Sequence, residues 1–65
     1  MDVTMKVSEH LRSLGINLSE LSRKTGIAYS ALYRSLGYET PKRQLRAGEF
    51  LEICALLELN PLDFR

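Results

Sequence analysis

The sequence predicts an all-α fold, a compact bundle of five short helices built around a central helix-turn-helix. Three observations predict it. Apolar residues recur at the spacing of a helical face through most of the 65-residue chain. Glycine or asparagine stands at most points where one such face ends or the next begins. No stretch alternates apolar and polar residues as a half-buried strand does, and no internal repeat or low-complexity segment interrupts the pattern.

Val7, Leu11 and Leu14 lie at i, i+4 and i+7 and define a first helix over about residues 4–14. Thr4 or Asp2 is placed to cap its start. Gly15 ends it, because glycine enters the left-handed region without a Cβ penalty. Asn17 followed three residues later by Glu20 fits a capping box, with Ile16 and Leu21 spaced as a hydrophobic staple. A second helix over about 18–25 follows, stopped by Gly26. In "IAYSALYRSLG", Ile27 and Leu32 point inward. The third helix starts near Tyr29 and ends near Leu36, with Gly37 as its stop. Its N-cap, Ala28, is a poor capping residue.

The segment "GYETPKRQLR" combines glycine, proline and charge, so it reads as a loop. Thr40 precedes Pro41 and is pushed away from helical geometry, while Leu45 tucks the loop onto the core. Phe50, Ile53 and Leu57, flanked by Cys54 and Leu56, define a fourth helix over about 47–58. Asn60 as N-cap and Pro61 at the first helical position predict a fifth, one-turn helix over about 61–64. That turn presses Leu62 or Phe64 against the core.

A chain of this length makes one domain, residues 1–65, and buries only about 60% of its unfolded surface. Staples are scarce. With one cysteine, Cys54, no intramolecular disulfide forms, and one Cys with one His (His10) cannot close a zinc site. Cys54 therefore reads as a small core residue and His10 as an exposed residue of the first helix. The start, "MDVTMKVSEH", lacks the apolar core of a signal peptide, and "ICALLEL" is too short to span a membrane. The expectation is a soluble cytoplasmic protein with no metal, no cofactor and no membrane partner. No glycine-rich phosphate loop occurs, and a domain this small has little room for a cleft to hold a Ser/His/Asp set, so no catalytic residue is assigned.

The formal net charge is only +1, but it is unevenly spread. Residues 34–46 carry Arg34, Lys42, Arg43 and Arg46 against Glu39 alone. Residues 47–65 carry Glu49, Glu52, Glu58 and Asp63 against Arg65 alone. A basic segment beside an acidic tail suits a molecule that turns one face toward a polyanion, and equally suits ordinary surface charge.

Between the second and third helices the connection is very short. Such a turn forces a steep crossing, the geometry of a helix-turn-helix. Gly26 suits its left-handed residue, Ser22 is small enough to let the third helix approach, and Leu21, Ile27 and Leu32 fill the space between. With "LSELSRKTGIAYSALYRSLG", Pro41 and Leu45 in the loop, and "FLEICALLELNPLDF", the chain resembles the helix-turn-helix domains of phage repressor and Cro proteins, the Xre family. The resemblance covers about residues 5–64 and implies a lambda-repressor-like DNA-binding fold. "TGIAYSALYRSL" is also similar to the helix-turn-helix of some antitoxins. Four positions depart from the family pattern. Leu18 replaces a backbone-clamping Gln, Ser22 an Ala, Ala28 a capping Ser or Thr, and Glu58 a helix-ending Gly.

The resemblance implies that the third helix, about 29–36, is a recognition helix lying in the major groove of DNA. Tyr29, Ser30, Tyr33 and Arg34 are then the candidate base contacts, with Arg34 suited to the O6/N7 edge of guanine. Arg23, Lys24, Lys42, Arg43 and Arg46 are the candidate phosphate contacts. Five of these nine have a plainer reading. The tyrosines can cover the core rim, and Arg34 can be a helix-terminal charge. Lys42 and Arg43 can be solvated loop residues. The implied function is a sequence-specific DNA-binding transcriptional regulator of phage, mobile-element or bacterial operon type, acting on double-stranded DNA as a homodimer. The alternatives are a DNA-binding antitoxin that holds a toxin partner, and a protein–protein adaptor that kept the fold.

Overall fold

A computed structural model describes residues 3–65. Among them the chain forms four α-helices and a closing 3-10 turn, with no strand. The helices are α1 (Val3–Leu14), α2 (Leu18–Thr25), α3 (Tyr29–Leu36) and α4 (Ala47–Leu57), and the 3-10 turn is Pro61–Phe64. The predicted fifth helix is thus a tighter turn. Asp63 N–H bonds to the Asn60 carbonyl three residues back at 3.0 Å, and the Asn60 side chain accepts Leu62 N–H at 3.0 Å.

The helix ends follow local chemistry. Gly15, at φ 69°, closes α1 in a Schellman motif. Its N–H bonds to the Arg12 carbonyl and Ile16 N–H bonds to the Leu11 carbonyl, both at 3.1 Å. Asn17 caps α2 by accepting from Ser19 N–H at 2.8 Å and Glu20 N–H at 3.2 Å. Glu20 turns its carboxylate to Arg23. Helix α4 ends one residue earlier than the sequence suggests, at Leu57. Glu58 takes the left-handed conformation there (φ 56°, ψ 43°), the place a glycine would occupy without strain.

Helix α1 starts at Val3, so Thr4 lies inside its first turn and is not its cap. Asp2, the other candidate, is outside the described residues. Thr4 is 1% exposed, and its hydroxyl accepts Leu45 N–H at 2.8 Å, tying the long loop to α1. Two more buried hydroxyls do similar work. Ser8 donates to the Leu36 carbonyl at 3.3 Å, and Ser35 accepts from Arg43 at 3.0 Å. These bonds meet the requirement that a buried polar group be paired.

The core is Val7 and Leu11 of α1, Leu21 of α2, Leu32 and Leu36 of α3, Ile53 and Cys54 of α4, and Phe64. Helix α3 packs against both α1 and α2, α2 packs against α4, and the closing turn packs against α1 and α4. Phe64 is the closing turn's anchor, while Leu62 faces solvent. His10, expected to be exposed, is half-buried. Its ring meets Phe64 edge-on at 5.5 Å, because the closing turn folds back over α1. Burial pushes the Cys54 thiol above its usual pKa. No helix among the described residues is long and apolar enough to cross a membrane.

Candidate nucleic-acid interface

Three residues, Gly26 to Ala28, join α2 to α3. Gly26 adopts φ 79°, and its N–H bonds to the Ser22 carbonyl at 2.9 Å. Two hydroxyls clasp the turn. Ser22 donates to the Ile27 carbonyl at 2.6 Å. Thr25 donates to the Leu21 carbonyl at 2.7 Å and accepts Ile27 N–H at 3.2 Å. Leu21 and Leu32 are buried beneath the turn, with Ile27 half-buried beside them. Ser22 therefore contributes a hydrogen bond as well as small size. Leu18, where the family often carries Gln, packs partly buried against the core.

Leu32, Ser35 and Leu36 face inward from α3. Tyr29, Ser30, Tyr33 and Arg34 face solvent together. Tyr29 is 48% and Tyr33 42% exposed. Their rings stack on each other, with centroids 6.0 Å apart and planes 19° apart. Arg34 has no side-chain partner among the described residues.

The basic residues divide. Lys24 and Arg46 have exposed side chains. Arg23 forms an exposed pair with Glu20, of the kind that contributes little and can exchange partners. Lys42 places its ammonium 5.0 Å from the centroid of the Tyr38 ring. Arg43 is committed elsewhere. Its guanidinium grips Glu49 with two bonds, at 3.0 and 2.9 Å, and donates to Ser35 at 3.0 Å. These bonds hold the Glu49 carboxyl below its usual pKa and Arg43 above its own. Glu49 also accepts Arg46 N–H at 2.9 Å, the carboxylate half of a capping box at the start of α4. Arginine has no acceptor with which to supply the other half.

This frame, with a glycine turn, a buried helix-turn-helix core and a polar helix face held outward, coincides with a sequence match to the Cro/C1-type HTH DNA-binding domain over residues 6–64. The chain belongs to that family. No curated protein and no solved structure matches it. Membership in the Cro/C1-type family supports a DNA-binding regulator with double-stranded DNA as its partner.

For this Cro/C1-type domain, sequence reasoning located the turn but missed Thr25 as part of its clasp. It also missed Tyr38, whose ring lies 5.1 Å from that of Tyr33. Thr25 carried a legible signal, a hydroxyl directly before a turn glycine. Tyr38 carried none, since it lies in the loop, beyond the i, i+4 spacing that joins Tyr29 to Tyr33.

Proposed function

We propose that the domain is a sequence-specific transcriptional regulator of phage, mobile-element or bacterial operon type, reading the major groove with α3. The observation that carries this is the outward face of α3. Tyr29, Ser30, Tyr33 and an unpartnered Arg34 are exposed while Leu32 of the same helix is fully buried, on a helix clasped at its N-terminal end. Arg34 reads guanine by a bidentate pair. Ser30 bonds a base edge, and the tyrosines pack on thymine methyl groups or donate to phosphate. Arg23, Lys24, Lys42 and Arg46 hold the backbone. Arg43 is left out of that set because Glu49 and Ser35 occupy it.

The domain acts as a homodimer on a palindromic site, with half-sites one helical turn apart. Leu51 (54% exposed) and Leu56 (39% exposed) support this reading. The outer face of α4 between them carries Ala55 and only one charge, Glu52, so it is less polar than a solvated helix face.

Selection from random duplexes, followed by binding at several salt concentrations, tests the proposal. Wild type should enrich a palindrome and lose affinity steeply with salt. Arg34→Ala should lose preference at one base pair, by about 1–3 kcal/mol, with a small change in salt slope. Binding no better than nonspecific at low salt sinks the reading.

A further inference from the structure

Tyr33 belongs to a longer stack than α3 alone can build. Its ring meets Tyr29 and also meets Tyr38, the latter with centroids 5.1 Å apart and planes 55° apart. Lys42 covers Tyr38 in turn, its ammonium 5.0 Å from the ring centroid. The order Tyr29, Tyr33, Tyr38, Lys42 runs from the first turn of the recognition helix into the loop.

The backbone is shaped to admit this stack. Gly37 has φ −87°, so no left-handed conformation demands a glycine there. Space does. A Cβ at Gly37 would lie 2.5 Å from Cδ1 of Tyr33 and 2.6 Å from its carbonyl oxygen. The Tyr33 ring lies directly against the Gly37 backbone. The next residue, Tyr38, is fixed from two directions. Arg12 of α1 donates to its carbonyl at 2.8 Å, and Lys42 N–H bonds to the Arg34 carbonyl at 2.9 Å, closing the loop onto the end of α3.

We infer that Tyr38 is a positioning residue for base reading: it fixes the Tyr33 ring before DNA arrives, and so sets sequence preference without touching a base. This rests on the proposed role of α3. An exposed tyrosine on an isolated helix moves between staggered rotamers. Ordering it in a base contact costs affinity on the selected sequence, whereas on a scrambled one the ring makes no such contact and stays free; a ring ordered in advance therefore favours the selected sequence. Aromatic pairs hold each other beyond what burial alone supplies, and a cation over the ring adds to the hold. Lys42 need not leave Tyr38 to meet a phosphate, since an ammonium on a ring face still has N–H donors pointing outward.

The test is a mutant cycle on the whole chain. It compares affinity for the selected duplex with affinity for a scrambled one, with melting curves as a control for folding. Tyr38→Ala should lower that ratio about three- to tenfold and leave the salt slope unchanged. Tyr38→Phe, which keeps the ring, should retain the wild-type ratio. In a Tyr33→Ala background, Tyr38→Ala should have no further effect. If Tyr38→Ala unfolds the domain, Tyr38→Leu goes through the same cycle, because it keeps apolar bulk and loses the ring. A specific wild type with an unmoved ratio in the ringless variant overturns this inference alone. So does an equal loss with and without Tyr33. A wild type with no preference between the two duplexes overturns it together with the reading of α3.

Discussion

The connection before α3 and the connection after it hold the same helix by different means. The turn Gly26–Ala28 is fixed from within, since every hydrogen bond of its clasp joins residues between Leu21 and Ile27. The loop from Gly37 to Arg46 is fixed from outside. Leu45 N–H reaches Thr4, 41 residues away, the Tyr38 carbonyl is held by Arg12, 26 residues away, and Arg43 reaches forward to Glu49. The first is a local device that closes as soon as α2 and α3 form. The second exists only once α1, α3 and α4 are assembled. Short-range contacts cost little chain entropy to close and long-range ones cost more. The turn should therefore be the sturdier of the two, and the loop should report on the state of the whole domain.

Removing Arg43 should give the largest effect. Arg43→Ala takes the donor from a fully buried Ser35 hydroxyl and both guanidinium bonds from the Glu49 carboxylate, leaving Glu49 only the Arg46 N–H. The expected loss is about 2 kcal/mol, read as a lower urea midpoint with an unchanged slope. A domain of this size holds only about 3–10 kcal/mol in all, so such a loss is easily measured. A midpoint shift near zero would show that the loop does not depend on this pair.

Acid should act on the same pair more gently, since Ser35 keeps its partner. The folded-state pKa of Glu49 is depressed, so its stabilisation is present above the unfolded carboxylate value, about 4.3. That stabilisation fades as pH falls through the lower folded value. Hydrogen exchange measured as pH is lowered below about 4.3 should show the Arg46 amide losing protection before the Gly26 amide, whose clasp contains no titrating group. Glu49→Gln should flatten that part of the pH profile. Simultaneous loss at both amides would mean that the two connections are one cooperative unit.

Gly26→Ala comes next, with an expected cost of about 1 kcal/mol from the left-handed backbone alone. The new methyl group meets nothing within 4 Å, so Gly26→Asn, which tolerates this conformation, should recover most of the loss. If the two variants are equally damaged, something other than backbone conformation is at stake. Glu58→Gly, away from both connections, should change stability least and in the opposite direction. A gain of about 0.5 kcal/mol in thermal unfolding follows from relieving the left-handed Glu58. DNA binding should be unaffected.

The same contrast explains what was legible in the sequence. The bounds of α2 and α3, the glycine turn and the buried Leu21 and Leu32 were readable because each depends on residues a few positions apart. The loop was readable only as a loop. Arg43 looked like a free cation because its partners are set by the packing of α3 against α4. Gly37 looked like a helix stop chosen for its torsion angle, yet it is required by the Tyr33 ring beside it. Thr4 looked like a cap, and its actual partner is 41 residues away. His10 looked exposed because nothing in α1 announces that Phe64 will fold back onto it. For the candidate site, residue type and helical spacing gave the outward face of α3. The aromatic stack that continues into the loop depended on tertiary closure.

Cys54 carries a practical consequence. It is the chain's only thiol, it is 2% exposed, and burial disfavours its thiolate. An alkylating reagent can reach it only when α4 lifts from the core. Its labelling rate in native buffer is therefore a clock for core opening, built into the natural sequence and needing no engineered probe. Slower labelling in the presence of a bound duplex would measure, in the same tube, how far ligand binding tightens the interior.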